Sequence, residues 1–96
     1  MNKFNIIAQI MLHLAEIKLY YLRKFVATQS EAITIQNELA LANGTTQKEL
    51  LFKLSEIDKK VETERTLYKA ALEVYEDSLE KYNNFITNEL TIQTNS

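Results

Sequence analysis

The strongest constraint on this chain is its shortage of residues that stop a helix: one glycine, Gly44, and no proline in 96 residues. A strand-rich domain of this length needs many tight turns, and tight turns draw on Gly, Pro, Asn and Asp. Those residues are scarce before residue 83. The chain is therefore expected to be all-α and built from long helices. At 11.2 kDa it has room for one core and so for a single domain. The absence of Cys, with 46% hydrophobic and 25% charged residues, excludes disulfide-stapled, zinc-ribbon and compositionally disordered chains.

The punctuation gathers near the middle, at Asn43-Gly44-Thr45-Thr46, where glycine can take the left-handed backbone that ends a helix. Thr46 and Glu49 have the spacing of a capping box, which would start a second helix. The expected layout is a first helix over about residues 3–42, a turn at 43–46, a second helix over about 47–88 and a frayed tail at 89–96. Apolar residues run at steps of three and four along both helices: Ile7, Ile10, Leu14, Ile17, Tyr21, Phe25, Ala32, Ile35 and Leu39 on the first, and Leu50, Leu54, Ile57, Val61, Tyr68, Ala71, Tyr75, Tyr82 and Phe85 on the second. Folding back at Gly44 sets opposite one another residues whose numbers sum to roughly 88, as in any short-looped antiparallel helix pair. The stripes obey this rule, Leu14 meeting Tyr75, Tyr21 meeting Tyr68 and Leu39 meeting Leu50. They describe a helical hairpin roughly 60 Å long. Thr28-Gln29-Ser30-Glu31 is the one place where the first helix has a break signal, and the stripe stays in phase across it, so a continuous helix is expected.

The first helix carries more apolar residues than one seam can bury. Leu12, Leu19, Val26, Ile33 and Ala40 repeat at sevens, with Ala15 and Leu22 between them, forming a second seam. Leu12, Ala15, Leu19, Leu22, Val26 and Ile33 are therefore the candidate partner-binding face. An apolar surface of this extent calls for a cover. The expected cover is a second copy, giving a homodimeric four-helix bundle, or the helices of a partner protein. Within the main seam, Glu64 interrupts the apolar run and the number rule sets Lys24 across from it, a candidate polar pair for fixing register or partner choice.

Other chemistries find little support. Phe4 to Leu22 is an apolar run, but Asn5, Gln9, His13, Glu16 and Lys18 within it argue against a spanning helix, its polar face has few basic residues for a surface-lying helix, and it lacks a clean small-x-small cleavage site for a signal peptide. Membrane contact is not expected, and the cytoplasm is the expected location. Net charge is −2, with four basic against three acidic residues in 1–44 and seven against ten in 45–96, so neither half is a basic patch and no nucleic acid is expected. His13 and Glu16 share a helix face at a spacing used by bundle metal sites, but one such pair is too few ligands, and no metal or other cofactor is expected. The single His has no thiol to activate. Glu73, Glu76, Asp77 and Glu80 fall on the outward side of the second helix as a solvated face. No catalytic residue is assigned, and the chain is expected not to be an enzyme. Tyr68, Tyr75 and Tyr82, at sevens, fit core packing with hydroxyls at the rim.

A mid-chain turn between two helices resembles the helical hairpins of type VII secretion. The turn of that family carries Trp-x-Gly, where this chain has Ala42-Asn43-Gly44 and no Trp. The layout also resembles the small all-helical chaperones of type III secretion filament subunits, with Glu64-Arg65, Leu67-Tyr68 and Ala71-Leu72 as the local echo. Both likenesses are architectural, and neither family is assigned. They imply the same expectation as the residues: a non-enzymatic interaction module, adaptor or chaperone, acting through coiled-coil association. The alternatives are a structural subunit of a filament, virion or secretion apparatus and, behind it, a metal-binding bundle enzyme.

Overall fold

The structure, a computed structural model, describes residues 2–95 and consists of two helices, α1 (Lys3–Leu39) and α2 (Gly44–Asn95), packed as one extended hairpin of 77 × 21 × 16 Å. The described residues include no strand. Asn2 caps α1, its side-chain oxygen accepting from the Asn5 N–H at 2.8 Å. The chain then runs without interruption through Thr28-Gln29-Ser30-Glu31, where the sequence had its break signal. Thr28 is 3% exposed there, packed into the helix–helix seam rather than capping a new helix.

At the turn, α1 tightens rather than ending on a left-handed residue. Ala40 stays right-handed, and the N–H groups of Leu41 and Ala42 donate to the Glu38 and Leu39 carbonyls, three residues back. Gly44 does take the left-handed backbone, at φ 62°, but as the first residue of α2. The turn therefore occupies 40–43, three residues earlier than the expected 43–46, and the first helix stops short of 42. At the other end α2 does not stop near residue 88. It continues to Asn95, so the expected frayed tail is helical through that residue, and Ser96 lies outside the described residues. The hydroxyls of Thr87 and Thr91 donate to the carbonyls of Asn83 and Thr87, keeping these polar side chains occupied within the helix rather than competing with it. This extension makes the rod longer than the roughly 60 Å expected from a shorter second helix.

The seam positions, each buried or half-buried, follow a strict three-four alternation on both helices. On α1 they run Phe4, Ile7, Met11, Leu14, Lys18, Tyr21, Phe25, Thr28, Ala32, Ile35, Leu39. On α2 they run Leu50, Leu54, Ile57, Val61, Glu64, Tyr68, Ala71, Tyr75, Ser78, Tyr82, Phe85. This is the heptad lattice of an antiparallel coiled coil. Phe4 packs on Phe85 with ring centroids 5.4 Å apart, and Phe25 on Tyr68 at 6.2 Å. Two residues assigned to the seam from sequence are displaced: Ile10 and Ile17 are exposed, and Met11 and Lys18 take their places. Lys18 is tolerated because its stem lies along the seam while its ammonium sits 4.0 Å over the Tyr75 ring.

Adding a Cβ at Gly44 meets nothing within 4 Å, so a substitution there tests the backbone alone. Gly44→Ala is expected to destabilise the hairpin by about 1–2 kcal/mol, the cost of holding an L residue left-handed. Gly44→Asn should cost less, since Asn visits this region more readily. Thermal melts followed by circular dichroism check both, and an Ala variant as stable as the parent would mean the turn is free to remodel.

Candidate interaction surface

A two-helix seam shields each side chain from one direction only. Among the described residues the buried apolar set is Met11, Ala32, Ile35, Leu50 and Val61, and no side chain reaches full burial. The remaining apolar surface is arranged in an order that the heptad lattice explains. In an antiparallel pair, the positions immediately following alternate seam residues lie along one shared edge. On α1 that edge holds Ala8, Ala15 and Leu22, and on α2 it holds Leu72, Leu79 and Ile86. All but Ala8 are half-buried. Next to it on the outer side of α1 lie Leu12, Leu19, Val26 and Ile33, at 63%, 40%, 49% and 53% exposure.

The six residues read from sequence as a partner-binding face therefore stand together on one side of the hairpin. Leu12, Leu19, Val26 and Ile33 form its exposed ridge, while Ala15 and Leu22 form the shoulder toward α2. Ala40 falls in the turn and is exposed. The contribution of α2 to the same edge was visible only as a broadening of its apolar stripe. Sequence reasoning missed the opposite edge, where Ile17, Leu67 and Val74 line a shallow groove with Leu14, Tyr21 and Ala71. It also missed the turn end, where Leu41, Leu51 and Phe52 are exposed. Predicting those positions required the seam register, which displaces Ile17 outward.

The polar members of the seam are held in an unexpected way. Glu64 is buried, at 8% exposure, and its Oε2 has no hydrogen-bond partner. Lys24, the residue read as its counterpart, is exposed, and its ammonium lies 4.8 Å over the ring of Tyr20, one turn earlier on the same helix. The Lys24 pKa is raised above its ordinary value, chiefly by hydrogen bonding with the Tyr20 side chain and by its charge, with a smaller contribution from the charge of Glu64. The two residues thus feel one another without forming a direct ion pair. The ion pairs among the described residues, Lys59 with Glu56 and Arg65 with Glu62, are each local to α2. Between the helices the charged contacts are instead cations on rings: Lys18 on Tyr75, and the Arg65 guanidinium 5.5 Å over Phe25.

His13 and Glu16 are both exposed, and the described residues contain no cluster of three or more metal-ligating side chains. Glu73, Glu76, Asp77 and Glu80 face solvent along α2. Tyr68, Tyr75 and Tyr82 are half-buried in the seam, while Tyr20 stands outside it against Tyr21, ring centroids 5.3 Å apart. No helix of the described residues is long and apolar enough to cross a membrane. No family model, curated protein or solved structure matches this chain.

Burying a carboxylate oxygen without a partner costs the desolvation that pairing would offset, and an apolar side chain of similar volume avoids it. Glu64→Leu is therefore expected to stabilise the hairpin by about 1 kcal/mol or more. A lowered melting temperature for this variant would mean that Glu64 has a stabilising partner after all.

Proposed function

We propose that the protein is a non-enzymatic association module, a small helical adaptor or chaperone that acts by packing its apolar flank against other helices to complete a bundle. The observation that carries this reading is the exposed area. The chain presents 7261 Å² to solvent. A folded monomer of this mass exposes about 5,700 Å² by the usual scaling, an excess of about 1,600 Å². A specific protein–protein interface takes about 800 Å² from each partner, and obligate homodimers take more. The excess is thus the size of a substantial interface, and the contiguous ridge and shoulder on one side of the hairpin offer a place for it.

The leading form of this module is a homodimer in which two hairpins make four helices. Assembly into a filament, virion or secretion apparatus uses the same surface in a heterologous contact and keeps adding copies, whereas a closed dimer stops at two. The cytoplasm is the compartment in which we place it.

Two variants separate the flank from the fold. Leu19→Glu puts a charge on the exposed ridge and should abolish association while leaving helicity in place. Leu14→Glu puts one into the seam and should cost several kcal/mol of stability, enough to unfold the hairpin. Light scattering after size exclusion, with circular dichroism on each fraction, reads both quantities. Equal effects from the two variants would mean that the ridge and the seam have been exchanged.

A further inference from the structure

Resting on the association reading above, we infer that the occupant of the flank is a second copy of this chain, seated with the two α1 helices antiparallel and held in register by reciprocal Glu16–Arg23 pairs. The ridge and shoulder of α1 alternate at four and three residues from Ala8 through Leu12, Ala15, Leu19 and Leu22 to Val26, a self-complementary strip. An antiparallel partner can dock on it in registers that differ by one heptad. The polar residues bordering the strip on its outer side decide among them. Glu16 and Arg23 are both exposed there, seven residues apart and therefore too distant to pair within one helix.

In the register that sets Leu19 against the partner's Leu22, Val26 meets the partner's Ala15 and Ile33 meets the partner's Ala8, large residues on small. The same register brings Glu16 to the partner's Arg23 and, by the two-fold axis, Arg23 to the partner's Glu16. Sliding by one heptad in one direction sets Arg23 against the partner's Arg23. Sliding in the other sets Glu16 against the partner's Glu16. Charge complementarity therefore selects one of three arrangements that the apolar pattern alone leaves open.

The selected register also overlaps the first helices almost fully, because its two-fold axis falls between Leu19 and Leu22, at the middle of Lys3–Leu39. Phe85 faces Phe4 at the start of α1, so α2 runs on past it for the ten residues from Ile86 to Asn95, about 15 Å. In the dimer this overhang lies beside the partner's turn. Leu41 in the turn is 88% exposed and Phe52, two turns into α2, is 68% exposed, and the overhang itself presents Ile92 at 62%.

Charge exchange between subunits tests the register without asking any variant to repack its core. Glu16→Arg alone and Arg23→Glu alone each set like charges across both pairs, and each should weaken the homodimer about tenfold or more. Mixed one to one, the two variants form a heterodimer in which both pairs are again opposite in sign, so the mixture should dimerise at least as tightly as the parent. Sedimentation equilibrium, with circular dichroism on each single variant to show the fold intact, reads all three. A parent that is dimeric but indifferent to these changes keeps the association reading and overturns this register. A parent that stays monomeric and folded at all concentrations overturns self-association and this register with it. A parent that aggregates or is unfolded alone overturns self-association and assigns the flank to helices of a different protein.

Discussion

A seam between two helices is half a core. Each helix shields its partner from one side, so even a perfect heptad lattice leaves every side chain with an open flank. The few buried apolar residues here, Met11, Ala32, Ile35, Leu50 and Val61, mark the limit of what that geometry can do. A third and fourth helix are the physical remedy, because a helix in a square bundle touches two neighbours at about a right angle. The α1 surface has the pattern this remedy requires: one stripe toward α2, a second about a quarter-turn away, and polar Gln9, Glu16, Arg23, Ser30 and Asn37 beyond it.

The apolar and charged residues divide along the rod as well as around it. Near the turn, the edge opposite the ridge carries Glu31 and Glu38 on α1 and Lys53 and Lys60 on α2. Farther along the rod the equivalent positions include the apolar Ile10, Ile17, Leu67 and Val74, before the edge turns charged again at Lys3 and Lys81. The short turn already ties the helices together at one end, where little closure entropy remains to be overcome. At the far end nothing covalent holds them, and there the chain uses rings and aliphatic side chains: Phe4 on Phe85, Lys18 on Tyr75, and Tyr21 beside the Leu67–Val74 groove.

Much of this was legible in the residues. With one glycine and no proline the turn had a single natural place, and the antiparallel number rule brought Leu14 to Tyr75 and Tyr21 to Tyr68; all four are half-buried in the seam, where Tyr75 carries Lys18 over its ring and Tyr68 packs against Phe25. The errors have physical causes. On a helix apolar around most of its circumference, both Ile7-Ile10-Leu14-Ile17 and Ile7-Met11-Leu14-Lys18 satisfy helical spacing. Hydropathy favours the first, and the structure adopts the second because only it continues the strict heptad through Tyr21, Phe25 and Thr28. The end of α2 was misjudged because Thr and Asn are poor helix formers by propensity, whereas Thr87 and Thr91 satisfy their hydroxyls within the helix. The displacement of Lys24 from Glu64 onto Tyr20 was not accessible from helix pairing, since it is set by a ring one turn away on the same helix.

The buried Glu64 fits the same economy of specificity over stability. An apolar residue at that position would deepen the seam but would also make neighbouring heptad registers nearly equivalent, because Leu54, Ile57, Val61 and Tyr68 would then continue into an unbroken greasy track. A carboxylate at one layer makes every slipped arrangement bury it against a different neighbour, so the cost is lowest in one register only. In that respect the role open to Glu64 within the hairpin parallels the one proposed for Glu16 and Arg23 on the outside of α1: each gives up contact energy that a hydrophobic residue would supply and disfavours a slipped alternative. A long, smooth, apolar rod has many ways to associate, and charged residues at the margins of its stripes are the physical means of reducing them.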